Sequence, residues 1–148
     1  MADGVSNGPM ASKWVFIHQV PSLASGTKVR LLGCIVDYDI AKGQILLEHA
    51  YPKDAPTVPS LWVDVSLVVE NTKSTTLSHG TWLNVVGYVR GNRRQTGRKS
   101  GSHLQKGPQA APLQAVLIWD AGAVRVGEYE YTLEEERRAR QDSELKGN

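Results

Sequence analysis

The chain has 148 residues, 41% of them hydrophobic, and a formal net charge of +2. That length and apolar content fit one domain with tails and supply a core for roughly a hundred residues. No apolar run approaches the ~20 residues that span a bilayer, residues 1–10 lack a signal-peptide core, and the single Cys34 excludes an internal disulfide, which favours a reducing compartment.

Residues 1–13 read as a flexible tail, residues 14–140 as a single domain, and 141–148 as a second tail. Trp14-Val15-Phe16-Ile17 form an extended lead-in, and 21–26 a turn. Residues 28–39 read as a long strand. Val29, Leu31 and Ile35 lie on one face, with Leu32, Cys34, Val36 and Tyr38 on the other, so both faces should be covered. Gly33 in its middle permits the sharp curl of a small closed barrel. Ala41-Lys42-Gly43 turn the chain into a second strand over 44–51, and Pro52, Pro56 and Pro59 mark a loop. A third strand over 61–69 alternates Leu61, Val63, Val65 and Leu67 against Trp62, Asp64 and Ser66.

Residues 70–80 read as a short helix or helical turn. The fourth strand, 81–90, turns Leu83, Val85 and Val89 inward and Trp82, Asn84 and Tyr88 outward. A long loop over 91–112 follows, then a fifth strand over 113–124. Two strands, a third, a helical link and two more strands is the order of a five-stranded Greek-key OB-fold barrel. The fold class is therefore all-β with a C-terminal helix.

In that helix Thr132 and Glu135 form a capping box. Glu134, Glu135 and Glu136 precede Arg137, Arg138 and Arg140, which suits the helix dipole and places Glu134–Arg138 and Glu136–Arg140 four apart. Its short apolar stripe, Val126, Tyr129 and Leu133, either plugs the barrel end or meets another protein.

Enzyme chemistry finds no foothold in the pattern. His18, His49, His79 and His103 show no ligand spacing with Cys34 or a carboxylate, so no metal motif exists. There is no phosphate loop and no nucleophile elbow. Glu48 and His49 are adjacent, but strand neighbours point to opposite faces and do not make a dyad. No cofactor, small-molecule substrate or membrane contact is expected.

Two surfaces remain. Between residues 71 and 119 there is no Asp or Glu. The loop side of that stretch carries Arg90, Arg93, Arg94, Arg98, Lys99 and Lys106, beside Tyr88. A basic groove with aromatic platforms is how OB-folds hold single strands; the bland alternative is a solvated loop. Trp62, Trp82 and Trp119 are either platforms or core. From Glu128 onward seven acidic residues stand against four basic ones, so this end presents a different surface. The apolar surplus on the first strand needs a lid, supplied by its own helix or by a partner, and Arg30 near the strand start can reach a partner's carboxylate.

The runs Gly26-Thr27-Lys28-Val29-Arg30-Leu31-Leu32-Gly33-Cys34-Ile35-Val36-Asp37-Tyr38 and Leu46-Leu47-Glu48-His49-Ala50-Tyr51-Pro52 resemble the fungal Ten-one type subunit of the telomere-capping CST complex. So do Gly80-Thr81-Trp82-Leu83-Asn84-Val85-Val86-Gly87-Tyr88-Val89, Gln114-Ala115-Val116-Leu117-Ile118-Trp119-Asp120-Ala121-Gly122-Ala123 and Val126-Gly127-Glu128-Tyr129-Glu130. The resemblance implies a single OB-fold in the nucleus, at the telomere, that pairs with the Stn-one subunit and through it with the large CST subunit. It also implies protection and replication of the single-stranded telomeric overhang, with the heterodimer contact at Arg30, Tyr129 and Leu133. Two features depart from the family pattern: the helix turns charged after Leu133, and the basic loop is longer. The rival reading is a stand-alone single-strand-binding OB protein.

Overall fold

The computed structural model describes residues 11–91 and 107–146. Among the described residues, six strands and one α-helix follow in chain order: β1 Lys13–Trp14, β2 Lys28–Asp39, β3 Gln44–Glu48, β4 Ser60–Asp64, β5 Trp82–Val89, β6 Leu113–Asp120 and α1 Val126–Lys146. Short 3-10 turns at Ile17–Ser22, Val69–Asn71 and Ser74–Leu77 link them.

Strands β2 to β6 close on themselves. β2 pairs antiparallel with β3 and with β5, β3 with β4, and β5 with β6, while β4 and β6 run parallel. That ring is the OB barrel expected from the element order. β2 is long because it serves two neighbours in turn. Lys28 to Cys34 pair with β5, and Cys34 to Asp39 pair with β3. Its other edge near the start is taken by β1, with Trp14 beside Arg30. Gly33 sits at the handover. A Cβ there would lie 2.8 Å from the Leu47 Cβ and 2.9 Å from the Ile17 Cδ1, so the glycine lets the barrel close tightly over its plug.

Inward residues of every barrel strand form one core, including Leu31, Ile45, Val63, Leu83 and Leu113. Ile17, Val20 and Leu77 pack into it from the 3-10 turns. Phe16, Leu32, His49 and Leu133 are buried as well but lie outside this core cluster. Of these, Phe16, His49 and Leu133 belong to the side that α1 covers. The helix docks there through His49 and Glu130, 2.8 Å apart, and through the Tyr51 hydroxyl, which donates to the Glu134 carboxylate at 3.0 Å.

The strand alternation of β6 is broken at one point. Val86 pairs with Leu117 and the next residue, Gly87, with Ala115, leaving Val116 as an extra residue. Such a bulge re-aims the side chains beyond it. Leu113 and Ala115 face the core, yet Leu117 and Trp119 face out. Without the bulge, residues 113, 115, 117 and 119 would share one face. Gly87 makes it possible, since a Cβ there would sit 2.4 Å from the Gln114 carbonyl oxygen.

Several boundaries differ from the sequence expectations. The third strand ends at Asp64, not at 69. The Asp64 carboxylate accepts from the Ser66 N–H at 2.8 Å and the Ser66 hydroxyl at 2.6 Å, a local turn that competes with the ladder. Leu67 consequently lies 66% exposed and not in the core. The second and fifth strands stop earlier than expected, at Glu48 and Asp120. The helix starts six residues before the Thr132–Glu135 capping box, so Thr132 lies inside it, and it runs beyond residue 140 to Lys146.

Candidate functional site

The two half-buried residues singled out for partner contact, Arg30 and Tyr129, meet around Trp14. β1 places Trp14 next to Arg30, and the first turn of α1 brings Tyr129 over it. The Trp14 indole N–H donates to the Tyr129 hydroxyl at 2.8 Å, and the two rings meet edge to face at 5.6 Å. The Arg30 guanidinium lies 5.3 Å from the Trp14 ring centre and 5.8 Å from that of Trp119. Both are cation–π distances. Its Nε is buried and has no hydrogen-bond partner. Burial raises the Tyr129 pKa, against the opposing pull of the Trp14 hydrogen bond and the nearby Arg30 charge. The phenol therefore stays protonated.

Leu133 does not join this group. It is 0% exposed, so its side chain is consumed in seating α1 on its own barrel and has no surface left for a partner.

Beneath the helix lies a pair that the linear pattern hid. His49 is 2% exposed and Glu130 7%, and Lys53 Nζ stands 3.7 Å from the second carboxylate oxygen. His49 is wedged among Phe16, Trp82 and Tyr129. Its acid is thus Glu130 from the helix, 81 positions away, and not the adjacent Glu48. No local spacing signals so distant a partner. The pair sits in packed surroundings and functions as a clasp between barrel and helix. His18, near the same clasp, has its pKa lowered by burial first and by the Arg137 charge second. Cys34 has its thiol pushed up by burial and by the Glu48 carboxylate, which leaves it a poor nucleophile. Among the described residues, no cluster of three or more His, Cys, Asp or Glu side chains is arranged to hold a metal ion.

At the other end of the barrel, Arg90 closes a polar group. It pairs with the Asp64 carboxylate at 3.2 Å and with the Gln114 side-chain oxygen. Burial alone would raise the Asp64 pKa, but the Ser66 hydrogen bonds and the Arg90 charge outweigh it and hold the carboxyl below its ordinary value. Arg90 is therefore committed within the fold. Tyr88 has Lys28 Nζ over its ring at 5.9 Å. A groove of about 470 Å³ lies beside them, lined by Leu23, Leu61, Trp62, Pro108 and Pro112 among others. Arg93, Arg94, Arg98, Lys99 and Lys106 lie outside the described residues. The three tryptophans divide their roles: Trp62 lines the groove, Trp82 packs on His49, and Trp119 lies 39% exposed on the outer face of β6.

A family model described as "Telomere capping, CST complex subunit" (Ten1) matches residues 2–134. Comparison with curated proteins gave no match. Among solved structures, the chain is similar to one from the S. pombe Stn1–Ten1 complex, at 23% identity and a TM-score of 0.63, covering 88% of this chain and 96% of that one. It is also similar to S. pombe Ten1, a telomere capping protein, at 23% identity and a TM-score of 0.61, covering 86% and 99%. The hypothetical protein YgiW of E. coli shares 17% identity at a TM-score of 0.50, covering 80% and 99%. At these identities the solved structures speak to the fold.

Proposed function

The chain belongs to the Ten1 family of telomere-capping CST-complex subunits, and we propose that it acts there as a binding module that pairs with a Stn1-type OB subunit through the face around Arg30 and Tyr129. One observation carries the reading. The Arg30 guanidinium is held by two tryptophan rings, 5.3 Å from that of Trp14 and 5.8 Å from that of Trp119. A guanidinium pre-oriented in this way suits a planar carboxylate. Tyr129 lies against the same ring system and has the character of an interface hot spot. A similar chain is found in the S. pombe Stn1–Ten1 complex, which supports a partner of this kind. Pairing with that subunit brings the chain to the large CST subunit and to the nuclear telomere.

The module works without catalysis. Its buried histidine–carboxylate pair joins the helix to the barrel and is enclosed by aromatic rings. Contact with single-stranded overhang DNA falls to the basic loop. Since Arg90 is committed to Asp64 and Gln114, phosphate contacts come from Arg93, Arg94, Arg98, Lys99 and Lys106, with Tyr88 at their edge. The test is co-expression with the Stn1-type subunit of the same organism. The chain should co-purify with that subunit as a 1:1 complex, and alone should bind oligonucleotides only weakly. A chain that ignores the subunit and holds single strands at moderate salt by itself would establish the stand-alone binder instead.

A further inference from the structure

The face around Arg30 is too small for a stable complex by itself. Trp14, Arg30 and Tyr129 are already half-buried, whereas a stable interface covers about 800 Å² on each partner. The surface must continue, and cross-strand pairing shows where. Trp14 pairs with Arg30, Arg30 with Val86, and Val86 with Leu117. These four form one outward row across β1, β2, β5 and β6. The bulge at Val116 extends it: Leu117 is 53% exposed, and Val116 and Trp119 are 39% exposed. Exposed Ile40, Val58 and Leu67 lie singly in loops and turns elsewhere.

The chemistry of this strip selects its occupant. Aromatic rings beside cations would also suit a nucleic-acid strand, but here the ring faces are in use. Arg30 lies over Trp14 and Trp119, and Lys28 lies over Tyr88. A stacking base would have to displace them. What the strip leaves open is apolar side-chain surface, chiefly Leu117 at 53% exposed, beside the Arg30 guanidinium.

We infer that the bulged strand β6 extends the partner interface, and that Val86, Leu117 and Trp119 receive an apolar segment of the Stn1-type subunit whose carboxylate meets Arg30. The inference rests on the pairing proposed above and adds β6 to it. The bulge then has a purpose: it turns two apolar side chains out of the core and onto the binding face.

The experiment uses the full chain and the Stn1-type OB subunit, with affinity by calorimetry, melting by circular dichroism and oligonucleotide binding by anisotropy. Leu117→Arg and Trp119→Ala should each raise Kd at least about tenfold. Leu67→Arg, a charge at a more exposed leucine off the strip, should leave Kd unchanged. Should Leu117→Arg lower the melting temperature, the milder Leu117→Ser replaces it, with a Kd rise still expected. If Arg30→Glu breaks pairing while the Leu117 and Trp119 variants bind like the parent, the β6 extension is wrong and the pairing stands. If all three bind like the parent, the pairing face itself is wrong and the extension falls with it. If the β6 variants lose oligonucleotide affinity and keep the partner, the strip belongs to nucleic acid and the inference is overturned.

Discussion

Replacing Gly87 with alanine should destabilise this barrel more than the same change at Gly33, the glycine at the handover in β2. The added Cβ would lie 2.4 Å from the Gln114 carbonyl oxygen, 3.0 Å from its carbon and 3.1 Å from the Ala115 Cα. Ordinary C···O contacts are about 3.3–3.6 Å, so the two strands must part locally by roughly 0.9 Å. All three atoms are backbone, in a paired strand, and cannot swing aside as a side chain can. Overpacking plus a weakened ladder hydrogen bond should cost about 2–4 kcal/mol, or roughly 10 °C in melting temperature for a domain of this size. Gly33→Ala meets side-chain atoms of Leu47 and Ile17 and should cost less, about 1–3 kcal/mol. Gly127→Ala provides the opposite control. That position lies in α1 with nothing within 4 Å of the added Cβ, so alanine should stabilise by about 0.5–1 kcal/mol. Thermal and urea melts of the three variants give the order. A Gly87→Ala protein that melts within about 2 °C of the parent, on the same scale, would refute the bulge geometry and the outward turn of Leu117 and Trp119 with it.

Other consequences follow from the polar groups. Asp64 has a folded-state pKa held below the ordinary 3.8, so its contribution is present above that value and disappears as pH falls through the folded pKa. Asp64→Asn should therefore cost about 1 kcal/mol at neutral pH, and the gap to the parent should narrow in melts taken as the pH falls below 3.8 and through the lowered folded pKa. His49→Ala leaves Glu130 buried without its near partner and should cost about 2–4 kcal/mol; hydrogen exchange should show the amides of α1 losing protection before those of the barrel. Neutralising Arg93, Arg94, Arg98 and Lys99 together should weaken binding of the assembled complex to all single strands alike, with the salt slope falling by about 0.7 for each phosphate no longer neutralised. A weakening confined to telomeric sequence would show base reading instead.

The strands are legible in the sequence because their alternation is local. β2 has its expected bounds, residues 28 to 39, and β5 alternates as its sequence does. The bulge is not legible, because Gln114 to Asp120 read alike in either parity; only the pairing with Gly87 decides which residues face out. Thr132 and Glu135 imitate a capping box inside a helix that begins at Val126, and so hide the true start. Val65 and Leu67 continue the alternation after Asp64 has already turned the chain, so the third strand reads too long. At the site, Arg30 and Tyr129 are visible as residues, but Trp14, which joins them, reads only as a lead-in. The His49–Glu130 clasp depends on a contact 81 positions apart, and no periodicity carries that information.

The central claim is that pairing with the Stn1-type subunit runs through the guanidinium of Arg30. Calorimetric titration of that subunit with the parent chain and with Arg30→Glu tests it most directly. Arg30 is half-buried on the outer sheet face, so the variant should keep the parent's fold and circular dichroism spectrum. Reversing the charge sets like against like at the contact and should cost several kcal/mol, or at least about a hundredfold in Kd. A folded Arg30→Glu chain that binds the Stn1-type subunit as tightly as the parent would contradict the claim.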